Sequence, residues 1–199
     1  MKTFQLGITG GIGSGKSVVC RVLEVLGIPV FNADEASKQL LENNHDVIYA
    51  VKKLLGTEAY QTDGKANRQF IAGIVFTDEN KLQQLNNILH PAVQKNYKAW
   101  VAGHQHLQLV AKEAAIMFES GSYAYMDAIV AVTAPAELRI NRVVERDGKR
   151  PADVLKILNR QLPEEEIIRR SNFKIINDDE HLIIPQILTI IEQIKTIKT

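Results

Sequence analysis

With Cys20 as its only cysteine, the 199-residue chain can form no internal disulfide and no cysteine-based zinc cluster, which fits a reducing compartment. An excess of one charge is also missing. Lys and Arg total 24 against 23 Asp and Glu, a formal net charge of +1 that supplies no global field to draw the chain onto nucleic acid or an anionic membrane. No stretch approaches the roughly 18 apolar residues of a membrane span. The opening Met1 to Gly7 has one basic residue and no apolar signal segment, so the expected location is cytoplasmic. Any phosphate binding must therefore be local. The hydrophobic share, 45%, suffices to bury the core of one domain with a smaller inserted part, and Cys20 reads as a small core residue.

Apolar patterning predicts a buried strand over Phe4 to Thr9, a helix over Lys16 to Leu26 stopped by Gly27, and a short strand over Ile28 to Asn32. From Ala33 to about His106 the pattern is helical and polar, with a turn at Thr62-Asp63-Gly64 and a break at His90-Pro91. Strands are predicted over Leu107 to Ala111 and Ala128 to Thr133. Helices are predicted over Ala134 to Arg146 and Ala152 to Leu162, joined by the turn Asp147 to Pro151. Phe173 to Ile176 adds one more short strand. Leu182, Ile183, Ile187, Ile190, Ile191, Ile194 and Ile197 outline a closing amphipathic helix with Lys195 and Lys198 near its C-terminus. Alternating strands and helices predict a parallel sheet with right-handed crossovers.

Between the first strand and helix, Gly10-Gly11-Ile12-Gly13-Ser14-Gly15-Lys16-Ser17 matches G-x-x-x-x-G-K-[S/T] at every fixed position. Its glycines let successive N–H groups converge on phosphate oxygens at the positive end of the following helix. Gly11, Ile12, Gly13, Ser14 and Gly15 form the cradle. Lys16 would reach the β and γ phosphates, and the Ser17 hydroxyl would join the coordination of Mg²⁺. The N-K-x-D and D-x-x-G motifs of a GTPase do not occur.

Asp34, just past the second strand, reads either as a base that takes the proton of an acceptor hydroxyl or as a carboxylate in a helix N-terminus. Arg142 and Arg146, four apart on one helical face and followed by Lys149 and Arg150, read either as a basic lid over a triphosphate or as a solvated face. A P-loop kinase of a small acceptor, such as a nucleoside monophosphate or shikimate, and a nucleotide-dependent switch are the alternatives the P-loop leaves open.

These motifs together resemble the dephospho-coenzyme A kinases over nearly the whole chain. The carriers are Leu6 to Ser17, Asn32-Ala33-Asp34, Asn67-Arg68, Ile74-Val75-Phe76, Leu89-His90-Pro91, Glu113 to Glu119, Arg142, Arg146-Asp147, Gln161 and Ile176-Asn177. The resemblance implies transfer of the ATP γ-phosphate to the ribose 3′-hydroxyl of dephospho-CoA, with Mg²⁺, by a monomer or small homo-oligomer. It implies Asp34 as the base, Lys16, Arg142 and Arg146 as catalytic cations, and Arg68, His90 and Glu119 as substrate contacts. It places Asn177 near the adenine and Glu113 on a Mg²⁺-bound water. Asn32 stands where the family commonly has Asp, and an amide cannot take a proton. Ala115 and Met117 likewise replace a proline and a leucine of the family. The implied fold is a three-layer α/β nucleoside-kinase-like core with a central parallel sheet of about five strands. That core comprises residues 1–34 and 107–199, with a helical lid over 140–165 and a helical acceptor module over 35–106.

Overall fold

The computed structural model describes residues 2–197, the last of them by its backbone alone. The side chain of Ile197 and the whole of Lys198 lie outside the described residues. Five strands, β1 (Phe4–Thr9), β2 (Val30–Asn32), β3 (Leu109–Glu113), β4 (Ala128–Thr133) and β5 (Phe173–Ile176), form one sheet in the order β2-β3-β1-β4-β5. Those of β1 with β3 and β4, and of β4 with β5, are parallel pairings, with Ile8 opposite Glu113 and Val130. All six residues of β4 are buried.

The chain divides into two compact units, Met1–Phe31 with His104–Thr199, and Asn32–Gly103. In the first unit, helix α1 (Lys16–Val25) and the last helix, α9 (Ile183–Ile197), pack together on one face of the sheet. Their shared core holds Leu6, Ile8, Val19, Leu23, Val130, Ile175, Ile187, Ile190 and Ile194. Leu182 precedes α9 and is exposed, so the apolar face begins one residue later than the spacing predicts. Cys20 lies in this core, where burial first and the Glu113 carboxylate second push its thiol up to about 12. Helix α1 is followed by Gly27, whose N–H donates to the Glu24 carbonyl while Ile28 N–H donates to that of Leu23, a pair of bonds that closes the last turn. On the opposite face Met117 and Met126 lie over Gly7.

The third strand starts and ends two residues later than predicted: Lys112 and Glu113, past the predicted end, belong to β3 and are buried. After β4 come α6 (Ala136–Asp147), α7 (Pro151–Leu158) and α8 (Glu164–Arg170). The helix expected over Ala152 to Leu162 stops at Leu158, and α8 was not foreseen. Pro163 fixes the start of α8, and its first turn, Glu164-Glu165-Glu166, complements the helix dipole.

The second unit is α-helical: α2 (Ala33–Asn43), α3 (His45–Leu55), α4 (Arg68–Val75) and α5 (Glu79–Gly103). Asn32, Asn44 and Asn67 cap α2, α3 and α4 through their side-chain oxygens. The predicted turn at Thr62 to Gly64 is present, closed by a hydrogen bond of 3.0 Å from Gly64 N–H to the Gln61 carbonyl. The predicted break at His90-Pro91 is not: Pro91 lies inside the single helix α5. Leu85 and Leu89 before it, with Ala92 and Val93 after it, all pack into this unit's core, and that packing outweighs the missing backbone bond. No helix among the described residues is long and apolar enough to cross a membrane.

Candidate active site

In strand order, the chain leaves β1 for β2, returns to place β3 beside β1, and then puts β4 on β1's other side. The carboxyl end of β1 is thus the switch point at which open parallel sheets bind ligands. The loop Gly10 to Gly15 occupies it. Gly15 has φ +91°, a left-handed conformation, and a Cβ there would collide with the Asn177 amide nitrogen; only glycine fits. No side chain caps α1 and its first turn holds no acidic residue, so its positive end is left for an anion.

The Lys16 ammonium bends back to the carbonyls of Gly10 (2.9 Å) and Gly11 (3.3 Å). The Ser14 hydroxyl is fully buried and has no hydrogen-bond partner among the described residues. Ser17, the next residue after Lys16, is exposed.

Late elements of the chain brace this loop. Asn177, one residue past β5 and buried, donates its amide to the Ser14 carbonyl (2.9 Å), and its own N–H donates to Thr133 at the end of β4 (2.8 Å). The placement of Asn177 against the loop is therefore structural support in addition to any nucleotide contact. Gln161 accepts from Ile12 N–H (2.8 Å). Arg139, which the sequence reading passed over, donates to the Ile12 carbonyl (3.0 Å) and pairs with Glu164 (2.9 Å). Its position was legible in principle, since Arg139, Arg142 and Arg146 repeat at three and four residues along α6.

The two arginines expected as clamps are placed differently. Arg142 donates to the Asn177 carbonyl (3.0 Å) and pairs with Asp179, a non-glycine residue with φ +68°. Arg146 is largely exposed and makes a two-pronged bond to Asp147, which holds that carboxyl below the usual range. Glu119 is exposed and accepts from Leu162 N–H (3.2 Å). Phe118 beside it lies under the Arg170 guanidinium, 4.3 Å from the ring centre. Glu113 ends β3 opposite Ile8 and is near enough to Cys20 on α1 to influence its thiol, as Lys16 also is.

In the second unit, Asp34 is exposed in the first turn of α2, two residues past β2. Asn32 caps that turn by accepting from Glu35 N–H (2.8 Å). Arg68 opens α4 and pairs with Glu42 (2.7 Å), and His90 is partly buried within α5.

A glycine loop at the switch point, leading into an uncapped helix and carrying a lysine whose ammonium bonds the loop's own carbonyls, defines the class: a P-loop nucleotide-binding fold. A shikimate kinase from Acinetobacter baumannii shares the fold, with a TM-score of 0.52 at 17% identity over 98% of this chain and 95% of that one. Relationship narrows the class. A profile of the family "Dephospho-CoA kinase" matches residues 4–182. The dephospho-CoA kinase of Bacteroides fragilis is 40% identical over 187 residues, 94% of this chain and 91% of its own. That of Porphyromonas gingivalis is 36% identical over 96% of this chain and 94% of its own. A solved structure from Thermus thermophilus superposes with a TM-score of 0.84 at 28% identity, covering both chains fully. The dephospho-CoA kinase of Campylobacter jejuni reaches 0.70 at 21% identity over 98% of each chain. The chain belongs to the dephospho-CoA kinase family.

Proposed function

We propose that the chain transfers the γ-phosphoryl group of ATP to the ribose 3′-hydroxyl of dephospho-CoA, giving coenzyme A and ADP. The observation that carries this reading is a fully formed P-loop in a chain matched to one kinase family from residue 4 to residue 182. The bond from the acceptor oxygen to Pγ forms as the bond from Pγ to the β-phosphate oxygen breaks, and the hydroxyl proton passes to the Asp34 carboxylate. Asp34 is exposed at the start of α2, a position open to an acceptor.

The loop fits a triphosphate: α1 begins uncapped, and the Lys16 ammonium can exchange the Gly10 and Gly11 carbonyls for phosphate oxygens. For Mg²⁺ the donors are the Ser17 hydroxyl and, through water, Glu113. Among the described residues no group of three or more His, Cys, Asp or Glu could hold a metal, so the phosphates and water supply most ligands. When bound, Mg²⁺ neutralises charge on the phosphates. Residues 35–106 serve as the acceptor module, with Arg68 and His90 as substrate contacts joined by Glu119 of the core, and residues 140–165 as the lid. Arg142 reaches the phosphates by leaving Asp179 and the Asn177 carbonyl, and Arg146 by leaving Asp147, an exposed pair that exchanges cheaply. The expected setting is cytoplasmic, as a monomer or small homo-oligomer.

The test is ADP release with ATP and Mg²⁺, measured with and without dephospho-CoA, the product being weighed by mass spectrometry. Strong stimulation and a product heavier by one phosphate are expected. Release indifferent to dephospho-CoA overturns the acceptor.

A further inference from the structure

Two side chains from distant elements converge on one residue of the loop. The Ile12 N–H donates to Gln161 and the Ile12 carbonyl accepts from Arg139, so both backbone polar groups at the loop's tip are held. An isoleucine side chain offers a phosphate nothing; what matters at this position is the backbone. Pinning both groups fixes the direction in which the next N–H group, that of Gly13, emerges, while the Ser14 N–H closes the turn on the Gly11 carbonyl (3.2 Å).

The anchors are themselves held. The Arg139 side chain is 8% exposed and pairs with Glu164 at the start of α8. Its guanidinium occupies the space over Gly11, where a Cβ would collide with it, and its backbone carbonyl would collide with a Cβ at Gly13. Gln161 sits between α7 and α8, and the N–H of the following Leu162 is bonded to Glu119. The segment between those helices is thus tied through two adjacent residues to the loop and to the stretch after β3.

We infer that Arg139 and Gln161 are positioning residues for the nucleotide: they hold Ile12 so that the phosphate cradle exists before ATP arrives. A loop tip without them has to order as ATP binds, and that cost falls on nucleotide affinity and not on turnover of the assembled complex. Each lost hydrogen bond corresponds to about tenfold in affinity. The inference rests on the proposed function for its kinetic readout, whereas its binding readout needs no acceptor.

The experiment measures ATP and ADP affinity of the full chain by calorimetry without acceptor, then kcat and both KM values, and Tm. Gln161→Leu is expected to weaken both nucleotides about tenfold and raise KM for ATP equally, leaving KM for dephospho-CoA and Tm near wild type. Arg139→Met is expected to do at least as much, and Arg139→Lys to recover part, because an ammonium can still donate to the Ile12 carbonyl. Wild-type ATP affinity in Gln161→Leu overturns the inference. So do equal rises in both KM values with a lowered Tm, the mark of a general structural role. If Arg139→Met does not fold, the partly buried Gln161 decides the matter. A wild-type chain that fails to phosphorylate dephospho-CoA sinks the acceptor assignment and leaves the affinity result standing.

Discussion

Burial lowers the pKa of the Lys112 ammonium, which is 1% exposed in β3, from 10.5 to about 8. The unfolded chain therefore binds more protons than the folded one between those values, and folding stability rises with pH across that window. Below about pH 8 the penalty is fully present. The stability of wild type relative to Lys112→Met is expected to increase by about 2 kcal/mol between pH 8 and 10, read by urea unfolding at each pH. A flat difference would refute the assignment. At Asp34 the expectation is kinetic: Asp34→Asn keeps the helix start and its size but cannot take a proton, so kcat should fall by about a hundredfold with little change in ATP affinity. Unchanged kcat would remove Asp34 as base. The P-loop was legible residue by residue because phosphate binding demands fixed residue types at fixed spacing. The position of Arg139 shows in the arginine repeat of α6 but its role does not, because it bonds a backbone carbonyl 127 residues earlier and nothing local marks such a partner.

Helix α5 tolerates Pro91 at the cost of one backbone hydrogen bond. Pro91→Ala restores the donor and is expected to raise stability by about 1 to 3 kcal/mol, measured as a higher Tm. A drop in Tm would mean that the proline ring, and not the helix, is what the neighbouring residues require. Elements with a continuous apolar run were read to the residue: β1, β4 and β5 have the predicted bounds. The errors fell where charge and burial disagree. Lys112 and Glu113 lie past the predicted end of their strand and are its buried last residues, while His90-Pro91 looks like a helix's end and lies inside one. In both cases tertiary packing overrides the local signal.

Each of the two units has its own core, one around the sheet and one around Val51, Leu85 and Leu89. If the first binds ATP and the second the acceptor, hydrogen exchange should separate the ligands. ATP alone is expected to protect residues 10–17 and the neighbourhood of Gln161, and dephospho-CoA alone to protect amides within 32–103. Protection of both regions by ATP alone would contradict the division of labour. The parallel sheet and its helical excursion followed from the alternation of patterns along the chain. The braces on the loop did not, since they join residues that only folding brings together.

Those braces set an order of events at the ribosome. The groups that hold the loop lie 127, 149 and 163 residues downstream of the ones they bind. A nascent chain exposes the complete glycine-lysine signature while Arg139, Gln161 and Asn177 have still to be made. Translation thus imposes a delay between the appearance of the signature and its competence, and a chain stalled short of Asn177 carries the motif without the site.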